Sequence, residues 1–163
     1  MVQNKLQDYA LVAEILSAVA VVASLMFVGL QIQQGSAETA LNTRAIESNA
    51  YQNLVAQIGS LNAIIIENPD FAKIRQKIFR GEAATGDELA QFNAYVTMLV
   101  RHGDLAFRQY KNGLIDERAL FSVLAPLRAM LPYEASQDQW EFLKPGFDPE
   151  YVEHIESMLK TSP

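Results

Sequence analysis

The chain has 163 residues, half of them apolar and one in five charged, with no cysteine and a formal net charge of −6. That is one domain's worth of chain, and its sparse glycine (8) and proline (6) exclude collagen-like repeats, disorder and turn-rich all-β folds. Without cysteine there is no disulfide framework, thiolate nucleophile or zinc–thiolate site, and an acidic chain matches nucleic-acid phosphates poorly, so nucleic acid is not an expected partner.

An all-α protein is the expectation, and its first element is apolar. From Ile15 to Leu30 no charge occurs, and the run extends through Gln31 to Ile32. Eighteen residues at helical rise cover about 27 Å, near the roughly 30 Å of hydrocarbon in a bilayer. Residues 1–34 are therefore read as an N-terminal tail and one transmembrane helix in contact with membrane lipid. Two alternatives stand beside this reading. A core helix would have to be covered on every side by a small remaining domain. A cleaved signal peptide would take Lys5 as its positive end and Gly35-Ser36-Ala37 as its cleavage site, although Glu14 and the length suit it poorly.

The helix also carries a pattern of small and polar residues. Ala10, Ala13, Ser17, Ala20 and Ser24 recur at spacings of 3, 4, 3 and 4, and Gln31 and Gln34 continue the seam after Phe27. In lipid, helices associate through close backbone approach at small residues, so this seam predicts a homo-oligomer or a partner membrane protein. Ser17, Ser24 and Gln31 lie seven apart, and in a ring of four or five helices they would line a narrow pore. Glu14 is placed at the interface, where an acid costs least. The flanking cations are few, Lys5 before the span and Arg44 after it, and they give no orientation by themselves.

Residues 35–163 are predicted as one helical domain, a bundle of five to six helices. Leu41, Ala45, Leu54, Ile58, Leu61 and Ile65 give a helix up to Glu67, either running on from the span or restarting near Ser36. Asn68-Pro69 caps a short helix with the stripe Phe71, Ile74 and Ile78, closed by Gly81. After a loop over 82–86, a central helix from Asp87 carries Leu89, Phe92, Val96, Leu99, Gly103, Ala106 and Tyr110, and Gly113 stops it. Asp116 caps the next helix, Pro126 breaks or kinks it, residues 137–143 form a short helix with Trp140, and Asp148-Pro149-Glu150 opens the last one.

Catalytic motifs are missing: there is no nucleophile elbow, phosphate-binding glycine loop, zinc-protease helix or dinucleotide fingerprint. No catalytic residue, cofactor or metal is expected. His154 follows Glu150 by four, which reads as a solvated helix end rather than a metal site. Arg101, Asp104 and Arg108 form an i, i+3, i+7 row with His102 beside them, a candidate polar cluster whose simpler role is intrahelical ion pairing. Lys73, Lys77 and Arg80 share one face of the helix after Pro69, a candidate contact for anionic headgroups or a solvated face. Between Glu134 and Glu156 lie seven acids, which would pair neighbouring subunits or simply face water.

The run Glu14 to Gln33, with Thr43-Arg44-Ala45, Tyr51-Gln52, Leu61-Asn62, Asn68-Pro69, Gln109 to Leu114, Trp140 and Phe147-Asp148-Pro149-Glu150, resembles a family of small uncharacterised bacterial proteins with one N-terminal transmembrane helix and an all-helical soluble domain. The resemblance implies a single-pass protein of the bacterial inner membrane, with the cytoplasmic side favoured for the domain. Three functions are carried forward. The first is a non-enzymatic anchored scaffold or interaction module that self-associates. The second is an oligomeric pore lined by Ser17, Ser24 and Gln31, and the third a membrane-associated enzyme centred on Arg101, Asp104 and Arg108.

Overall fold

The computed structural model describes the backbone of residues 2–161 and the side chains of residues 11–160. Among these there are seven α-helices, one 3-10 turn and no strand. They fall into two compact units, Met1–Ala45 and Ile46–Pro163.

Helix α1 runs from Val2 to Glu67 without interruption. No proline lies within it, and the glycines at 29, 35 and 59 each cost only about 1 kcal/mol of helix propensity. Of the two alternatives for residues 36–67, the helix runs on from the apolar segment and does not restart near Ser36. Within the second unit, Leu54 and Leu61 of α1 are buried and begin the core.

Asn68 then caps α2 (Pro69–Phe79): its side chain accepts from the Phe71 N–H at 3.0 Å, and Pro69 occupies the first turn, where a missing N–H costs nothing. Gly81, at φ 69°, ends the element in a backbone region that side-chain-bearing residues avoid. Helix α3 (Gly86–Lys111) starts one residue earlier than expected because Thr85 and Glu88 form a capping box, each side chain bonding the other's backbone N–H.

Asp116 caps α4 (Glu117–Val123) by accepting from the Ala119 N–H at 2.7 Å. A separate helix, α5 (Ala125–Met130), follows because Pro126 has no N–H to offer the previous turn. Next come α6 (Glu134–Leu143), a 3-10 turn over Lys144–Gly146, and α7 (Pro149–Thr161), whose start is fixed by Asp148 accepting from the Glu150 N–H at 2.9 Å. The helix count thus exceeds the five to six expected. The excess arises at Pro126, whose region forms two helices rather than one kinked helix.

Helix α3 is the hub and touches α2, α4, α5 and α6. Phe92, Val96, Leu99 and Val100 are buried along it, and against them lie Leu120, Leu124, Leu127, Leu131, Trp140, Tyr151 and Ile155. Burying a side chain of this size contributes roughly 1.5–3 kcal/mol. Tyr151 enters the core with its hydroxyl satisfied, donating to the Val100 carbonyl at 2.8 Å. Burial pushes that hydroxyl's pKa far up, so it remains a donor.

Candidate functional site

The apolar end of α1 is long and hydrophobic enough to cross a membrane, with an 18-residue window of mean hydropathy 2.4 and none of that window buried. Every side chain described from Leu11 to Asn49 is exposed. The seam residues Ala13, Ser17, Ala20, Ser24, Gln31 and Gln34 are among them, while the side chain of Ala10 lies outside the described residues. Ser17 Oγ donates to the Glu14 carbonyl at 2.9 Å and Ser24 Oγ to the Ala20 carbonyl at 2.8 Å. Both hydroxyls therefore fold back on their own helix, and at Ser17 and Ser24 the seam presents small, locally satisfied groups.

The basic face of α2 is paired inside the chain. Lys73 bridges Asp70 at 2.8 Å, Lys77 bridges Glu88 at 2.6 Å, and Arg80 bridges Glu82 at 2.8 Å. Arg75, on the opposite side, lies 5.4 Å from the Phe79 ring centroid. The acidic C-terminal stretch is treated similarly, with Glu150 on Lys111, and Glu141 and Glu156 both on Lys144.

The four residues of the candidate polar cluster do not form one site. Asp104 and Arg108 pair along α3 at 3.1 Å, with the arginine exposed. Arg101 is also exposed, and its guanidinium lies 5.6 Å from the Phe147 ring centroid. His102 instead faces inward and is only 5 % exposed, with Nδ1 3.1 Å from Gln57 Oε1 on α1 and no partner at Nε2. Its i+3, i−1 and i−4 relation to Leu99, Gly103 and Ala106 puts it on the core face of α3, a pattern visible in the sequence.

Arg101 and His102 do share a cavity of about 310 Å³ with Met98 of α3 and with Gln57, Ser60 and Leu61 of α1. The α1 residues carried no motif that would mark them, because only tertiary packing brings them to α3. Elsewhere Glu150 is engaged by Lys111 and His154 lies 5.1 Å from the Phe107 ring centroid. Among the described residues no three His, Cys, Asp or Glu side chains converge.

No protein-family model, curated protein or solved structure matches the chain. Function must therefore be argued from the exposed helix and the geometry of the bundle.

The buried His102 and the half-buried His154 set a pH dependence. Burial lowers the pKa of His102, and burial also lowers that of His154, with Glu117 opposing it there. An imidazole whose folded pKa is depressed takes up its proton first in the unfolded chain, near pH 6.5. Its stabilising contribution is therefore complete above that pH and falls below it, by up to about 1.4 kcal/mol per pH unit for each group. Urea midpoints measured from pH 7.5 to 5 should drop below about pH 6.5, and His102→Gln should flatten the drop; an equal slope in that variant would remove His102 as a cause.

Proposed function

We propose that this chain is a single-pass protein of the bacterial inner membrane, anchored by residues 11–32 of α1, that self-associates through the small-residue seam and presents its helical domain on the cytoplasmic side as a scaffold or interaction module. The observation that carries the reading is uncovered hydrocarbon. Leu11, Leu16, Leu25, Met26, Phe27 and Ile32 are each 59–68 % exposed, and none of the apolar window is buried among the described residues. Soluble monomers rarely leave contiguous apolar patches larger than a few hundred Å² in water, so the cover has to come from outside the chain. A bilayer supplies it around the whole circumference of the helix, which a single protein groove does not. This same exposure gives no support to the core-helix alternative. The pore and enzyme readings gain no comparable observation: Ser17 and Ser24 donate to their own helix, and the Arg101 row is divided between separate partners.

Membrane fractionation tests the anchor. The full-length chain should resist carbonate extraction, and its intact mass should retain residues 1–34. Val22→Arg with Met26→Arg places two guanidinium groups in the span at about 2.5–3.5 kcal/mol each, and should move most of the protein to the supernatant. A soluble wild-type product lacking the first 35 or so residues would identify a signal peptide and overturn the proposal.

A further inference from the structure

We infer that the outer face of α4 and α5 docks onto an anionic phospholipid surface, with Phe121 entering the headgroup layer between Arg118 and Arg128. The inference rests on the anchored reading above, which keeps a bilayer at high local concentration. Its first ground lies in the sequence. Between Glu117 and Glu134 the chain carries two arginines and no acid, in a protein whose net charge is −6. Arg118 and Phe121 are three apart, share one face of α4 and are both exposed. Arg128 of α5 completes the group, its guanidinium carbon 3.9 Å from the centre of the Phe121 ring.

The charge of this group is not neutralised within the chain. Lys73, Lys77, Arg80, Arg108, Lys111 and Lys144 each bridge a carboxylate, whereas Arg118 and Arg128 bridge none among the described residues. Glu117, the one acid of α4, acts instead on His154 of α7, where it opposes the effect of burial. The three basic residues of α2 that the sequence offers for headgroup contact are thus committed inside the chain, and the two arginines of α4 and α5 keep their forks of donors for phosphate oxygens.

Phe121 supplies the apolar half of the contact. It is 58 % exposed, and the stacked guanidinium travels with it. Arginine is weakly hydrated, so ring and cation can enter the boundary between headgroups and acyl chains together, the ring toward hydrocarbon and the N–H fork toward phosphate. Of residues 118–131, only Arg118, Phe121, Ser122 and Ala129 are exposed, and the last two are too small to hold the ring off a flat surface. An acidic protein would answer the two cations but leave the ring without a place, which favours lipid. Phe142 makes the contrast: it is 78 % exposed, but Asp138 and Glu141 stand beside it on α6, and an anionic surface repels them.

The test follows the indole fluorescence of Phe121→Trp in the full-length chain, held in nanodiscs whose lipid is brominated near the headgroup end of its acyl chains. The wild type, whose only tryptophan is the buried Trp140, gives the background. Discs rich in phosphatidylglycerol should quench the new indole at least about twofold more than zwitterionic discs, and raised salt should remove the difference. Arg118→Gln with Arg128→Gln should weaken docking about thirtyfold and abolish the difference, because each cation near an anionic surface contributes about fivefold. Phe142→Trp should be quenched equally in both discs. Equal quenching of Phe121→Trp in the two discs, a difference that survives loss of both arginines, or the same difference at Phe142→Trp would each overturn the inference. So would polyglutamate shifting the Phe121→Trp emission while neither disc quenches it, which would assign the face to an acidic macromolecule. Failure of the anchor shows separately, as a chain that does not remain with zwitterionic discs, and quenching of Phe121→Trp by added anionic vesicles would still decide the docking face.

Discussion

Gly103→Ala is expected to lower the unfolding free energy by about 2 kcal/mol, although alanine at mid-helix ordinarily gains about 1 kcal/mol over glycine. The reversal comes from what surrounds the position. A Cβ built on Gly103 would lie 2.5 Å from Tyr151 Oη, 2.8 Å from Leu124 Cδ2 and 3.2 Å from Leu127 Cδ2. Tyr151 has no room to withdraw, being fully buried among Phe107, Trp140 and Phe147 with its hydroxyl bonded to the Val100 carbonyl. Overpacking at such a site costs about 1–3 kcal/mol, and disturbing the buried hydrogen bond adds about 1–2 kcal/mol. Urea unfolding followed by the fluorescence of Trp140 measures this, since the only tryptophan is 1 % exposed and meets Tyr151 edge-on at 6.2 Å. Tyr151→Phe removes the nearest obstructing atom, so the double variant should recover about 1 kcal/mol relative to the sum of the two single changes. The recovery is partial because Leu124 stays in place. A neutral or stabilising Gly103→Ala would show that α7 does not approach α3 this closely.

The helix limits that were legible in the sequence are those carrying their own chemistry: Asn68-Pro69, Asp116 and Asp148-Pro149 each place an acceptor before a first turn, and each begins a helix. Thr85 with Glu88 is an equally local signature, and it moves the start of α3 to Gly86. The buried face of α3 was only partly legible. Phe92, Val96, Leu99 and Ala106 lie in the core as their spacing predicts, but Leu89 at the head of the seam is 38 % exposed, while Tyr95, Val100 and Phe107 outside it are buried. One stripe describes a helix packed on one side, and α3 is packed by α2, α4, α5 and α6 and also met by Gln57 of α1 and Tyr151 of α7. Charge pairing was only partly legible for a related reason. Lys77 with Glu88, Lys111 with Glu150, and Lys144 with Glu156 are paired between elements, so part of the charge that looks unbalanced along the chain is neutralised in space. The polar row at 101–108 divided because successive residues on a helix point about 100° apart, which turns His102 inward beside an outward Arg101.

The seam leads to the prediction with the largest change of state. Detergent-corrected light scattering of the full-length chain should give a multiple of its 18.2 kDa mass, and Ser17→Leu with Ser24→Leu should shift it toward the monomer. Because both hydroxyls are already satisfied by the Glu14 and Ala20 carbonyls, the proposed association needs no hydrogen bond from Ser17 or Ser24 and would rest there on close approach of small residues. Two added leucines force the helices apart at an overpacking cost of about 2 kcal/mol or more, roughly thirtyfold in dissociation constant. Val22→Leu with Met26→Leu, on the opposite side of the helix, enlarges or reshapes only the lipid-facing surface and should leave the mass unchanged. A dimer that responds in this way is a dry packed pair, too few helices to enclose a channel, whereas a tetramer or pentamer would bring Ser17, Ser24 and Gln31 around a common axis. Equal masses for the wild type and the seam variant would leave the span as a solitary anchor and place any association in the helical domain.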